Sequence, residues 1–262
     1  MRRRSLPPLL WIPAGIGIAL LVLPLVGLVV RAPWAELPGL LTQTAVAQAL
    51  GLSLGTALVS TAVSLVLGVP LALVLARSGD WPTVPRRLVR ALVTVPLVLP
   101  PVVGGVALLL LLGRRGLIGQ WLPFTIPFTP AAVVIAQVFV AMPFLVLAVE
   151  GALKGVDGRY EVAAATLGAS RFTVFRRVTL PLVAPGVAAG ALLCFTRSLG
   201  EFGATITFAG SFPGTTQTLP IATYLQLQTD PDAAIALSLV LMLVSVLVLV
   251  SLRDRWVPGV TA

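Results

Sequence analysis

The sequence predicts an all-α, polytopic membrane protein of about six transmembrane helices. Three observations carry this. First, 58% of the residues are hydrophobic and only 10% are charged, whereas a soluble domain carries roughly a quarter charged. Second, the apolar residues are gathered into runs near the ~20 residues that a spanning helix needs. Third, the basic residues sit in clusters between those runs rather than on one face or tail. The net charge of +9 therefore reads as a topology signal, and no nucleic-acid partner is expected.

The first span runs from Leu9 to Val30. It follows Arg2-Arg3-Arg4, as a secretory signal would, but it exceeds the ~7–15 residues of a signal's apolar region, and no small-x-small cleavage site follows. A retained helix is expected. The second span, about Val46 to Ala76, covers about 31 residues or roughly 46 Å, so it must tilt or project beyond the bilayer. Thr56, Ser60, Ser64 and Gly68 recur every fourth residue along it, with Gly51 and Gly55 as a further small pair. Small residues at this spacing let helices approach closely in lipid, either inside this bundle or against a second copy. The third span, about Ala91 to Leu112, holds Pro96, Pro100, Pro101, Gly104 and Gly105. Broken backbone at membrane depth is tolerated where it is buried in protein or lines a watery cavity, so this span is either a pathway wall or a packed kink. The fourth span is about Ala131 to Val149, the fifth about Ala184 to Phe208 and the sixth about Ala233 to Leu252.

With the N-terminus inside, fourteen of the basic residues fall in inner segments: Arg2, Arg3, Arg4, Arg77, Arg86, Arg87, Arg90, Lys154, Arg159, Arg171, Arg176, Arg177, Arg253 and Arg255. Only Arg31, Arg114 and Arg115 fall outside. This asymmetry places both termini in the cytoplasm. Trp11, Trp34, Trp81, Trp121 and Trp256 lie near span ends, where indole rings favour the interface. The expected domain organisation is one transmembrane domain over 1–262, with no separate regulatory domain after the last span.

Several chemistries are excluded by composition. There is no His, and the single Cys, Cys194, lies in an apolar run, so neither an intrachain disulfide nor the usual Cys/His metal cluster is available. A Ser-His-Asp triad is impossible. The only Lys is Lys154, in Leu153-Lys154-Gly155, which is not the Gly-Lys-Ser/Thr of a P-loop. If ATP drives this chain, a partner binds it.

Within the fifth span lies Thr196-Arg197-Ser198-Leu199-Gly200-Glu201-Phe202-Gly203-Ala204. Ionisable residues inside a span are costly and face the bundle interior or a water path. Arg197 and Glu201 share a helix face. Arg197, with Thr196 and Ser198, could offer charge and hydrogen bonds to a passing oxyanion. Alternatively Arg197 and Glu201 form an internal ion pair that fixes packing; the two readings are compatible.

The most informative segment is Glu161-Val162-Ala163-Ala164-Ala165-Thr166-Leu167-Gly168, followed by Val178-Thr179-Leu180-Pro181. It resembles the cytoplasmic EAA loop of ABC-importer permeases: Glu161 and Ala163 match, Gly168 falls at the right distance, and Val178, Leu180 and Pro181 form the exit. Val162 and Val178 are mild departures. The fifth-span string is similar to that of molybdate and sulfate permeases, and Pro213-Gly214-Thr215-Thr216-Gln217-Thr218-Leu219-Pro220 with Asp232-Ala233-Ala234 is similar to the molybdate members. The likeness runs from about Leu52 to Leu252.

The resemblance implies an ABC-importer permease fold with a cytoplasmic coupling helix in a loop of about 150–183. It implies that Glu161, Ala163, Ala164, Gly168, Leu180 and Pro181 couple the chain to ABC ATPase subunits, which bind ATP-Mg; this chain would hold no cofactor or metal. A second permease copy, an extracytoplasmic oxyanion-binding protein and the lipid bilayer of a prokaryotic inner membrane complete the expected partners. The implied cargo is molybdate or tungstate, with sulfate or thiosulfate as the alternative. A stand-alone secondary transporter or channel would explain the spans but not the EAA pattern. An intramembrane protease lacks a convincing nucleophile and base.

Overall fold

The structure is a computed structural model that describes residues 8–256. Arg2, Arg3 and Arg4, on which part of the topology expectation rests, lie outside the described residues. Every regular element among the described residues is helical. Five helices are long and apolar enough to cross a membrane, and a sixth span results if one bent pair is counted together. The chain is thus the multi-pass helical membrane protein expected.

Helix α1 (Trp11–Val30) lies beside the last helix and buries none of its residues. A short α2 (Leu37–Leu41) leads into α3 (Thr44–Ala76), 33 residues long. Then come α4 (Thr83–Val98) and α5 (Pro101–Leu112), bent by 117° at the break formed by Leu99 and Pro100. The third span is therefore two helices rather than one, because consecutive prolines remove donors and push the preceding residue out of helical geometry.

Helix α6 (Pro130–Gly155) starts where sequence says it should. Thr129 accepts the Ala132 N–H on its hydroxyl at 3.3 Å, and Pro130 takes the first helical position, where its missing donor costs nothing. The loop after α6 contains α7 (Arg159–Thr166) and α8 (Arg171–Val174). A wide turn of π geometry, Phe175–Thr179, carries α8 without interruption into α9 (Leu180–Leu199). The fifth span therefore begins at Arg171 and ends at Leu199, instead of running from Ala184 to Phe208. Beyond a break at Gly200–Phe202 stands α10 (Gly203–Ala209). The polar segment 209–232 is more ordered than its composition suggests: it contains α11 (Leu219–Thr229), which doubles back on α12 (Pro231–Trp256).

The core is the packing of α3 and α9 on α6. Lipid supplies no hydrophobic drive between helices, so close approach and hydrogen bonds must hold them. The stripe on α3 does this within the bundle: Thr56, Ser60, Ser64 and Gly68 are all buried. A Cβ added to Gly68 would stand 2.8 Å from Leu145 Cδ2, so a larger residue would have to push the α6 side chains aside. Gly190 does the same from α9, where an added Cβ would meet Ala148 Cβ at 3.1 Å. Gly51 and Gly55 instead face open space. The Ser60 hydroxyl donates to Ser198 Oγ at 2.8 Å, and Gln137 Nε2 donates to Thr56 Oγ1 at 3.1 Å, each such bond contributing about 0.6–2 kcal/mol in a membrane.

Candidate functional site

Two places hold the sequence-predicted site residues. The first is the loop 156–179. Asp157 opens it: the Arg159 side chain, at 2.8 Å, and then the Arg159 backbone N–H hold its carboxyl below the usual carboxylate range. An ionised acid suits the positive N-terminal end of α7. The helix ends at Thr166 with Leu167 as its C-cap, and Gly168 takes φ +82°, the left-handed conformation that glycine adopts without penalty. Its N–H donates back to the Ala165 carbonyl at 3.0 Å, and the Ala169 N–H to the Ala164 carbonyl at 3.2 Å. Ser170 then caps α8 by accepting the Thr173 N–H at 3.2 Å.

Glu161 ties this loop to the membrane helices. Its carboxylate accepts the Thr179 hydroxyl at 2.5 Å and faces the Arg77 guanidinium, at the end of α3, at 3.3 Å. Thr179 is buried at the base of α9. One carboxylate thus fastens α7 to two core helices at once. The neighbouring face is left open: Ala163 is exposed, and Tyr160, Val162, Phe172 and above all Leu167, 88% exposed, project apolar surface away from the chain. Leu180 and Pro181 lie in the first turn of α9, just beyond the wide turn. Substituting Glu161 with Ala removes both ties. Amide hydrogen exchange across 159–179 is expected to accelerate while exchange in α6 stays unchanged; equal rates in the loop would refute the fastening role.

The second place is the end of α9. Arg197 Nη1 lies 2.6 Å from Glu201 Oε2, a close pairing of charge without the alignment of a hydrogen bond. Glu201 is 1% exposed and Arg197 28%. The other oxygen of Glu201 accepts the Ala204 N–H at 2.8 Å, satisfying one of the free donors that start α10. Ser198 is buried against Ser60, and the Thr196 hydroxyl donates to the Leu192 carbonyl at 3.0 Å. So the four residues gather at the break between α9 and α10, with only part of Arg197 facing outward. Opposite them α5 crosses very closely: a Cβ on Gly105 would fall 2.8 Å from the Ala204 carbonyl oxygen, and one on Gly203 2.9 Å from Pro101 Cβ.

Two polar features escaped the sequence reading. Gln137 is buried among α3 and α6 with its Oε1 unpartnered. Glu150, 5% exposed, pairs with Lys154 at 2.7 Å and with Arg90 across from α4. The i,i+4 spacing of Glu150 and Lys154 was a legible signal for half of that cluster.

The family described as binding-protein-dependent transport system inner membrane component matches residues 68–259, most of this membrane-embedded chain. The chain belongs to that family. Like other members, it is a transport permease subunit and not an enzyme, with ATP hydrolysis carried out by a separate subunit. The permease is 52% identical over 233 residues to the molybdenum transport system permease protein ModB of Mycobacterium tuberculosis, covering 87% of this chain and 86% of that one. It is 35% identical over 215 residues to the sulfate transport system permease protein CysT of Escherichia coli, covering 80% and 76%. Its fold matches a bacterial ABC transporter that imports the acidic polysaccharide alginate, with a TM-score of 0.70 at 17% identity over 97% of this chain and 95% of that one. At that identity the likeness concerns the permease fold alone.

Proposed function

We propose that this permease is the membrane subunit of an ATP-driven importer of molybdate, tungstate being equivalent in size and charge, working by alternating access. The observation that carries the mechanism is the fastened loop. Glu161 grips Thr179 and Arg77 while the opposite face of the loop stays apolar and exposed. A partner ATPase seated on Tyr160, Val162, Ala163 and Leu167 would pull α9 and α3 through that carboxylate, so closure of the nucleotide sites becomes movement of core helices. Ala164, Gly168, Leu180 and Pro181 complete the docking and hinge surface. Both termini and this loop are cytoplasmic in this reading, which the fourteen-to-three distribution of basic residues supports.

The cargo assignment rests on ModB, which is much more similar to this chain than CysT. A second permease copy would complete the pore, and an extracytoplasmic binding protein would deliver the anion. The pathway would pass the α9–α10 break, where the exposed part of Arg197 offers donors that the pairing with Glu201 keeps from gripping too tightly, and the α4–α5 bend would form a wall. The test is uptake into proteoliposomes holding this permease, its ATPase and its binding protein. Molybdate accumulation that requires ATP and resists excess sulfate is expected. Flux without the ATPase would favour a secondary transporter, and preferential sulfate uptake would move the cargo to the second reading.

A further inference from the structure

A basic cavity of about 340 Å³ opens where the end of α3, the start of α4 and the end of α6 meet, beside the Arg77–Glu161 contact but lined by neither of those residues. Leu75, Ala76, Ser78 and Gly79 form its floor, and Arg86, Arg87, Arg90 and Lys154 line it. The space is on the order of ten times the ~30 Å³ that a water takes up in the liquid. Four cations surround it; Glu150 pairs with two of them, Arg90 and Lys154, and among the described residues no carboxylate pairs with Arg86 or Arg87. Arg86 donates to the Gly79 carbonyl at 3.2 Å, which orients the guanidinium without neutralising it. Arg87 is exposed and has no carboxylate partner among the described residues. Such a concentration of unanswered positive charge asks for an anion.

The other face of α4 says which kind. Val84, Leu88, Leu92 and Val95 are exposed and fall on one arc of the helix. Val89 and Val93, on another arc, pack into the core beside α6. Trp81 stands half-exposed just before the helix, the position an indole takes at a membrane surface. Because α4 is bent by 117° from α5, it does not simply continue a span. It has the three faces of a helix set in a membrane interface: one on the bundle, one apolar, one basic.

We infer that this cavity binds the headgroup of an anionic phospholipid of the inner leaflet, with Arg86 and Arg87 on its phosphate and its acyl chains along Val84, Leu88 and Leu92. Basic pockets between membrane helices on the cytoplasmic side suit such headgroups, and a free oxyanion would leave the apolar stripe unexplained. The inference shares only its inside-outside orientation with the proposed function, and its test reads lipid rather than transport. The bound lipid would brace α4 against α6 through Arg90 and Glu150.

The test is native mass spectrometry of the full-length permease in complex with its ATPase, delipidated and titrated with phosphatidylglycerol or phosphatidylcholine. Wild type is expected to retain phosphatidylglycerol at about tenfold lower concentration than phosphatidylcholine. The variant Arg86→Gln with Arg87→Gln should lose that preference, and Arg86→Lys with Arg87→Lys should keep most of it. These variants leave the Glu150 cluster untouched. Equal retention of both lipids by wild type overturns the inference even if the glutamine variant fails to assemble. So does an unchanged preference in the glutamine variant. Displacement of phosphatidylglycerol by millimolar inorganic phosphate or molybdate would also overturn it, because the site would then belong to a free oxyanion.

Discussion

Replacing Gly168 with leucine is expected to detach the ATPase and abolish ATP-driven uptake while the permease still inserts and folds. Two costs act together. A non-glycine residue held at φ +82° is strained by about 1–3 kcal/mol; the substituted loop escapes the strain by leaving this turn, so regaining the turn on docking weakens the docking equilibrium by up to a factor of roughly 5–150. The leucine side chain would also extend into space that this chain leaves empty, since nothing lies within 4 Å of the Gly168 Cβ position. That emptiness is where a partner would sit. Gly168→Asn separates the two costs, because asparagine tolerates the left-handed turn yet still adds bulk; it should weaken co-purification of the ATPase less than leucine does. Co-purification and uptake check both. A Gly168→Leu complex that purifies whole and transports normally would remove Gly168 from the docking surface.

The second large effect concerns Arg197→Ala. Glu201 would remain buried with its main counter-charge gone. Leaving one partner of a buried pair uncompensated costs up to about 3–5 kcal/mol, and the partial exposure of Arg197 lets water recover some of that. Loss of this order should lower the yield of assembled permease, and the break between α9 and α10, which Glu201 also caps through the Ala204 N–H, should loosen. Adding Glu201→Gln removes the stranded charge while keeping an acceptor for that N–H, so the double variant should assemble better than Arg197→Ala alone. Size-exclusion yield followed by uptake per assembled complex reads the result. If Arg197→Ala assembles like wild type but does not transport, the packing account fails and Arg197 acts on the anion itself.

Hydropathy made the long helices legible, because twenty apolar residues in sequence have few other destinations. It did not reveal where a span breaks. The residues from Ala184 to Phe208 read as one apolar stretch, yet α9 stops at Leu199 and α10 begins at Gly203. The cause is a single carboxylate turned back onto Ala204 and a close crossing by Gly105, neither of which alters mean hydropathy. Residues 209–232 differ in the opposite direction. Thr216 and Thr218 are polar residues in a polar stretch, but both are buried: Thr216 accepts the Phe212 N–H at 3.0 Å, and Ser53, far away on α3, accepts the Leu219 N–H at 2.7 Å. Long-range acceptors of this kind have no local sequence signature.

In the loop 156–179 the pattern of residues was legible and their contacts were not. Glu161 heads the EAA pattern, and its carboxylate is turned inward to Thr179 and Arg77. The surface left for a partner is apolar, on Tyr160, Val162 and Leu167. Spacing indicates that a segment has a task, but only burial separates the residues that hold it from those it presents.

The central claim is that this loop faces the cytoplasm and carries force from a partner ATPase. Cys194 is buried and is the only cysteine, so a Cys194→Ser background permits a single probe at Leu167→Cys. In intact cells a membrane-impermeant thiol reagent should leave that cysteine unlabelled, in inside-out vesicles it should label it fully, and bound ATPase should protect it. Labelling from outside intact cells would contradict the account.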